Sequence, residues 1–102
     1  MREDMIIHPG EVLREEFLAP YGLSANRLAQ ALKIPTNRIT EIINGRRGVT
    51  GETAVLLAHA FGTTAEFWLN LQTRYELDRA THRLTKEAVR SADAFAKELA
   101  AA

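Results

Sequence analysis

Residues 23–45 read LSANRLAQALKIPTNRITEIING, and the fold turns on how this stretch is divided. Ser24 suits an N-cap, since its hydroxyl can accept from the unpaired N–H groups of the following turn, and Leu28, Ala29 and Leu32 then fall on one helical stripe. A first helix is therefore expected over about 25–32. Pro35 cannot continue it, because its ring displaces the preceding residue from helical dihedrals, yet its fixed φ suits a new start. The chain should turn at Lys33 and Ile34. From Thr36 onward Ile39, Ile42 and Ile43 recur at helical spacing, with Thr36, Asn37, Arg38, Thr40, Glu41 and Asn44 on the opposite side. Gly45 is placed to close the second helix in a left-handed cap. Ala29 is small where two such helices would cross closely. Two short helices across a tight turn are the pattern of a helix-turn-helix, in which the second helix enters the major groove of DNA.

The remainder is consistent with one small domain. A chain of 102 residues can bury a modest core but not a two-lobed catalytic cleft. Its 13 basic and 13 acidic residues cancel, which taken globally argues against a nucleic-acid ligand. Their distribution argues the other way. Residues 1–18 carry Glu3, Asp4, Glu11, Glu15 and Glu16 against Arg2 and Arg14, whereas residues 33–47 carry Lys33, Arg38, Arg46 and Arg47 against Glu41. A neutral protein can thus present a basic reading face.

Five helices and no strand are expected in all, with a tail behind them. HPGEVLREEFLAP at 8–20 has Pro9 near a helix start and Glu11 in the first turn, where the macrodipole favours a carboxylate. Val12, Leu13, Phe17 and Leu18 would line its inner face. After a basic loop at 46–49, Thr50 opens a helix whose Ala54, Leu57, Ala58 and Phe61 form a stripe ending at Gly62. Thr64 caps a fifth helix carrying Phe67, Trp68, Leu71 and Tyr75, running to about Leu84. The organisation is then an N-terminal segment at 1–7, a helix-turn-helix domain at 8–84 and an Ala-rich tail at 85–102. In that tail Ala88, Ala92, Phe95 and Leu99 make only a thin apolar line, so a marginal helix is expected.

Catalytic and metal chemistry find no support. His8, His59 and His82 stand far apart, with no HExxH pattern and no histidine three or four residues from another. Ser24 and Ser91 lie in no nucleophile motif, cysteine is absent, and the six glycines form no phosphate-binding loop. No catalytic residue, metal, cofactor or small-molecule substrate is expected. No apolar run approaches the roughly 18 residues of a membrane span, and neither a signal peptide nor a disulfide framework is visible, so a cytoplasmic protein is expected.

Within the second helix, residues at the start reach base edges and those at the ends reach phosphates. Thr36, Asn37 and Glu41 are the candidates for base reading, through a thymine methyl, an adenine edge and a cytosine amine respectively. Arg38 and Thr40 can serve bases or backbone, and Asn44, Arg46 and Arg47 read as phosphate anchors. A solvated loop is the plain alternative for the two arginines. One module makes too few contacts for operator specificity, so a symmetric dimer on a pseudo-palindrome is expected. Trp68, Leu69, Tyr75 and Leu77 are the interface candidates, with completion of the monomer core as the equal alternative for each, while Phe67 and Leu71 are assigned to the monomer core.

Three segments carry a family resemblance: HPGEVLREEFLAPYGLS at 8–24, INGRRGVTGETAVLLAHAFGTT at 43–64 and EFWLNLQTRYEL at 66–77. Together they cover most of the chain, and the sequence resembles the HigA antitoxins, or virulence-associated protein I family, of the phage-repressor-like helix-turn-helix group. The resemblance implies a small all-helical homodimer that binds an operator ahead of its own operon. It also implies a partner toxin of HigB/RelE type, a ribosome-dependent messenger-RNA endonuclease. The acidic residues Glu3, Asp4, Glu11, Glu15 and Glu16 are the candidate surface for such a basic partner, against the plain reading of a solvated face. A stand-alone regulator of the same fold is the alternative. Lys33 departs from the group, which commonly has glycine there, at a conformational cost of ~1 kcal/mol for positive φ.

Overall fold

The computed structural model describes residue 2 and residues 5–102. Among them there are six helices and no strand. Helix α1 is a composite of an α-helical turn Pro9–Val12, a π-helical stretch Leu13–Leu18 and a last α turn Ala19–Tyr21. The others are α2 (Ala25–Leu32), α3 (Thr36–Ile43), α4 (Gly51–Phe61), α5 (Ala65–Arg83) and α6 (Lys86–Ala101).

Starts and stops follow local chemistry. The hydroxyls of Ser24, Thr50, Thr64 and Thr85 accept from the N–H groups of Arg27, Thr53, Phe67 and Ala88, opening α2, α4, α5 and α6. At four helix ends a left-handed residue lets the next N–H reach a carbonyl five residues back: Leu23 to Leu18, Ile34 to Ala29, Arg46 to Glu41 and Thr63 to Ala58. Three of those left-handed residues are Gly22, Gly45 and Gly62; the fourth is Lys33, at φ 57°. The expected strain at Lys33 is therefore present, and the turn keeps its shape despite the side chain.

The core is Leu13, Leu18, Leu28, Ala29, Ile39, Ile42, Val49, Ala54, Leu57 and Trp68, all buried. The sequence pattern points to ordinary α-helix over Leu13–Leu18, where the structure has a π-helical stretch. Its wider turn, with Ala19 N donating to Arg14 O, lets Leu13 and Leu18 share the inner face at a spacing of five. Val12 is displaced from that face and is only half-buried.

The fifth helix decides between the two readings of its aromatic residues. Trp68, open between core and dimer surface in the sequence, is 0% exposed in a single chain and belongs to the core, whereas Phe67, expected in the core, is 37% exposed at its edge. Trp68 packs on Phe17 (centroids 5.0 Å apart) while its Nε1 donates to Thr63 Oγ1 at 2.8 Å. An indole can be buried here because its one polar atom finds a partner. Phe67 lies edge-on to Trp68 at 5.1 Å, over the rim of the same cluster.

Two close contacts set the position of α3. A Cβ on Gly10 would fall 1.8 Å from Ile42 O and 2.9 Å from Ile43 Cα, so α1 crosses the back of α3 at a distance only glycine permits. Arg14 Nη1 reaches Ile43 O at 3.5 Å, at the C-terminal end of α3. Helix α6, by contrast, has no buried residue, with Phe95 and Leu99 58% and 62% exposed.

Candidate nucleic-acid interface

Helix α3 divides cleanly. Ile39 and Ile42 are fully buried, and the opposite face presents Asn37 with Arg38, Thr40 and Glu41 half-exposed beside it. Thr36 is less free than its motif position suggests, because Thr36 Oγ1 donates to Asn26 Oδ1 on α2 at 2.9 Å. That bond joins the two helices at the mouth of the turn and makes Asn26 part of the surface; nothing in its spacing had marked it. Thr40 Oγ1 donates to its own helix, at 3.2 Å to Asn37 O and 3.4 Å to Thr36 O. Its methyl group and free lone pairs are what remain for a ligand.

Beyond the cap at Gly45 the chain brings two sequence candidates together. Arg47 Nη2 lies 3.3 Å from both Oε1 and Oε2 of Glu41, so the guanidinium is held against the end of α3. Both groups are partly exposed, and such a pair contributes at most about 1 kcal/mol to stability. Its effect is positional, since it fixes a flexible cation at the end of α3. Arg46 and Asn44 are exposed beside it.

The loop carrying these arginines is pinned by a residue that sequence reading passed over. Gln72 Oε1 on α5 accepts from Val49 N at 2.8 Å, and Gln72 Nε2 donates to Glu76 Oε1 at 3.3 Å. Gly48 leaves room for that amide, because a Cβ there would sit 2.7 Å from Gln72 Nε2. His8 braces the other side. Its Nδ1 accepts from Gly10 N at 2.8 Å and caps α1, while its ring meets Tyr75 edge-on at 4.6 Å. Burial holds the imidazole below its usual value of 6.5, the nearby Arg79 charge adds to this, and a backbone hydrogen bond to Arg47 opposes it. Neutral His8 is the form that can both accept from Gly10 and donate onward.

The other candidate sites are distributed over different surfaces. Glu11, Glu15 and Glu16 lie with Met5, Ile7 and Val12 around a groove of about 490 Å³ on the outer side of α1. Glu3 and Asp4 lie outside the described residues. Leu69 and Leu77 are 37% and 59% exposed on α5, whereas the half-buried Tyr75 is already engaged with His8 and Arg79. No group of three or more His, Cys, Asp or Glu among the described residues is arranged to hold a metal ion. No helix among them is long and apolar enough to cross a membrane.

A two-helix reading unit on an all-helical frame, with a basic loop locked to its C-terminal end, defines the class: a helix-turn-helix protein. The helix-turn-helix family model matches residues 13–68. Virulence-associated protein I of Dichelobacter nodosus is 54% identical over 74 residues, 72% of this chain and 68% of that protein. Antitoxin HigA-1 of Vibrio cholerae is 42% identical over 80 residues, 78% of this chain and 74% of that one. Among solved structures, the antitoxin GraA in complex with its operator superposes with a TM-score of 0.80 at 44% identity, over 89% of each chain. The chain belongs to the HigA and virulence-associated protein I family of helix-turn-helix proteins, a family of DNA-binding antitoxins and regulators and not of enzymes.

Proposed function

We propose that this protein is the antitoxin of a type II toxin–antitoxin module, which represses its own operon as a homodimer on operator DNA and neutralises a HigB/RelE-like messenger-RNA endonuclease. The observation that carries the DNA half is α3 itself, with Asn37 outward, Ile39 and Ile42 inward, and Arg47 tethered to Glu41 at its end. In this reading Asn37, Thr36 and Glu41 meet base edges, Arg38 and Thr40 serve bases or backbone, and Asn44, Arg46 and Arg47 hold phosphates. The second copy uses the exposed Leu69 and Leu77 of α5, with Tyr75 at the margin. For the toxin, the groove on α1 supports an electrostatic fit. Met5, Ile7 and Val12 supply apolar surface, and Glu11, Glu15 and Glu16 supply charge complementary to a basic RNA-cleaving partner.

Two measurements test the two halves. Operator titrations with Asn37→Ala and Arg47→Ala separate reading from anchoring. The first should relax preference at one base pair at a cost of about 1–3 kcal/mol, and the second should weaken all sequences and reduce the salt slope by about one unit. Equal losses for both variants on operator and random DNA would remove Asn37 from base reading. For the toxin half, cells expressing the adjacent small reading frame should be rescued by this chain, with the two products copurifying. Operator binding without rescue or complex would leave the stand-alone regulator, the second reading that the family contains.

A further inference from the structure

Between the loop that follows α3 and the second half of α5 lies an open cleft of about 340 Å³. The loop contributes Arg46 and Arg47 to its lining, and α5 contributes Arg79 and Arg83. The carboxylate in the lining, Glu76, accepts from Gln72 Nε2. Arg47 already faces the Glu41 carboxylate, yet Glu41 and Glu76 together do not offset four guanidiniums, so the cleft keeps a net positive charge that favours an anion, and guanidinium geometry matches phosphate oxygens. Arg79 is already oriented: its Nη1 donates to Tyr75 Oη at 2.9 Å, and its guanidinium carbon lies 5.3 Å from the Tyr75 ring centroid. Arg83 follows one turn later on the same face, about 6 Å along the helix axis.

We propose that Arg79 and Arg83 form a second row of phosphate contacts, facing Arg46 and Arg47 across this cleft, so that a backbone strand of the bound duplex is gripped from both sides. The proposal rests on the operator-binding reading above. The phosphodiester chain is the favoured anion because the cleft opens where α3 ends and shares its loop arginines with the reading face. Any duplex lying along α3 continues past it. The consequence is that α5 does more than complete the core and carry the dimer surface. Its C-terminal half extends the DNA footprint beyond the helix-turn-helix, through contacts that carry no sequence information.

The test is the salt dependence of DNA binding by the full chain and by Arg79→Ala, Arg79→Lys, Arg83→Ala and, on α6, Arg90→Ala. Each alanine change on α5 should lower the slope of log K against log salt by about 0.9, equally on operator and random duplex. Arg79→Lys should keep the slope, which a merely structural role for the Tyr75 contact would not, and Arg90→Ala should change nothing. Unchanged slopes for Arg79→Ala and Arg83→Ala, beside a wild-type protein that binds its operator, would overturn the proposal and leave the operator reading intact. A slope change as large for Arg90→Ala would reduce the effect to net charge and overturn it as well. Inorganic phosphate that raises Tm in the wild type alone, with DNA slopes unmoved, would assign the cleft to a free anion. If the wild type binds no duplex at all, the operator reading itself fails.

Discussion

Helix α3 has eight residues and α6 has sixteen, yet the shorter one is by far the better anchored. Both are amphipathic in sequence. Helix α3 buries Ile39 and Ile42 completely, is crossed at backbone distance by Gly10 and ends in a hydrogen-bonded cap, and the loop beyond it is pinned by Gln72. Helix α6 offers Ala88, Ala92, Phe95 and Leu99 along one side, and none of its residues is buried. The difference teaches that an apolar stripe defines a face, while the contacts made by neighbouring elements decide whether that face is held. Under the proposed function that holding matters, because base-contacting groups a fraction of an ångström out of place lose their bonds.

The strongest way to break the contrast is at Gly10. Gly10→Ala puts a methyl group into the Ile42 carbonyl, and the clash cannot be relieved by a side-chain rotation. A loss of about 3 kcal/mol or more is expected in denaturant unfolding, with operator affinity falling further than stability alone explains. A smaller effect should follow at the loop. Gln72→Leu leaves Val49 N without its acceptor, at about 1–3 kcal/mol, and frees the segment carrying Arg46 and Arg47. Retained Tm with retained DNA affinity would show that the loop holds itself.

Acid should loosen the same region through His8. Its folded value is lowered, so the folded state binds its proton less readily than the unfolded chain. The associated stability is complete above the ordinary imidazole value and is lost as pH falls through the depressed folded value. His8→Asn, which can still cap α1, should flatten that acid limb in thermal melts followed from pH 7.5 downward. Lys33→Gly works in the opposite direction. Removing the side chain at φ 57° should stabilise by up to about 1 kcal/mol and leave DNA binding unchanged. The smallest effect belongs to α6, where Phe95→Ala should move stability by less than about 0.5 kcal/mol in dilute protein. A larger loss that grows with protein concentration would reveal that α6 is covered by a second copy.

Much of the α2–turn–α3 unit was legible because its signals are local. Ser24 as a cap, Pro35 as a restart, Gly45 as a left-handed stop and Ile39 and Ile42 as the inner stripe each depend on residues within a turn of one another. Other parts were not. Trp68 and Phe67 are neighbours in an aromatic run, and periodicity does not say which of two adjacent rings faces a core whose boundary is set by Phe17 and Thr63. Gly10 left a faint mark, a glycine in the first turn of a helix where no turn was needed, and that mark is the signature of close approach. Gln72, Asn26 and Arg79 left none, because their partners at Val49, Thr36 and Tyr75 are defined only once the helices have packed.

By itself, then, the order of residues determined where the helices lie, the caps at Ser24, Gly45, Gly62 and Thr64, the tight turn and the polar face of α3, since each follows from torsional preference and hydrogen bonding over a few positions; the π-helical widening of α1 was not among them. Tertiary structure alone decided how closely α1 backs onto α3, which aromatic ring is buried, and that Glu41 holds Arg47 while α5 faces the same loop. Those outcomes join residues that are remote in the chain, and burial and electrostatics act on distance in space.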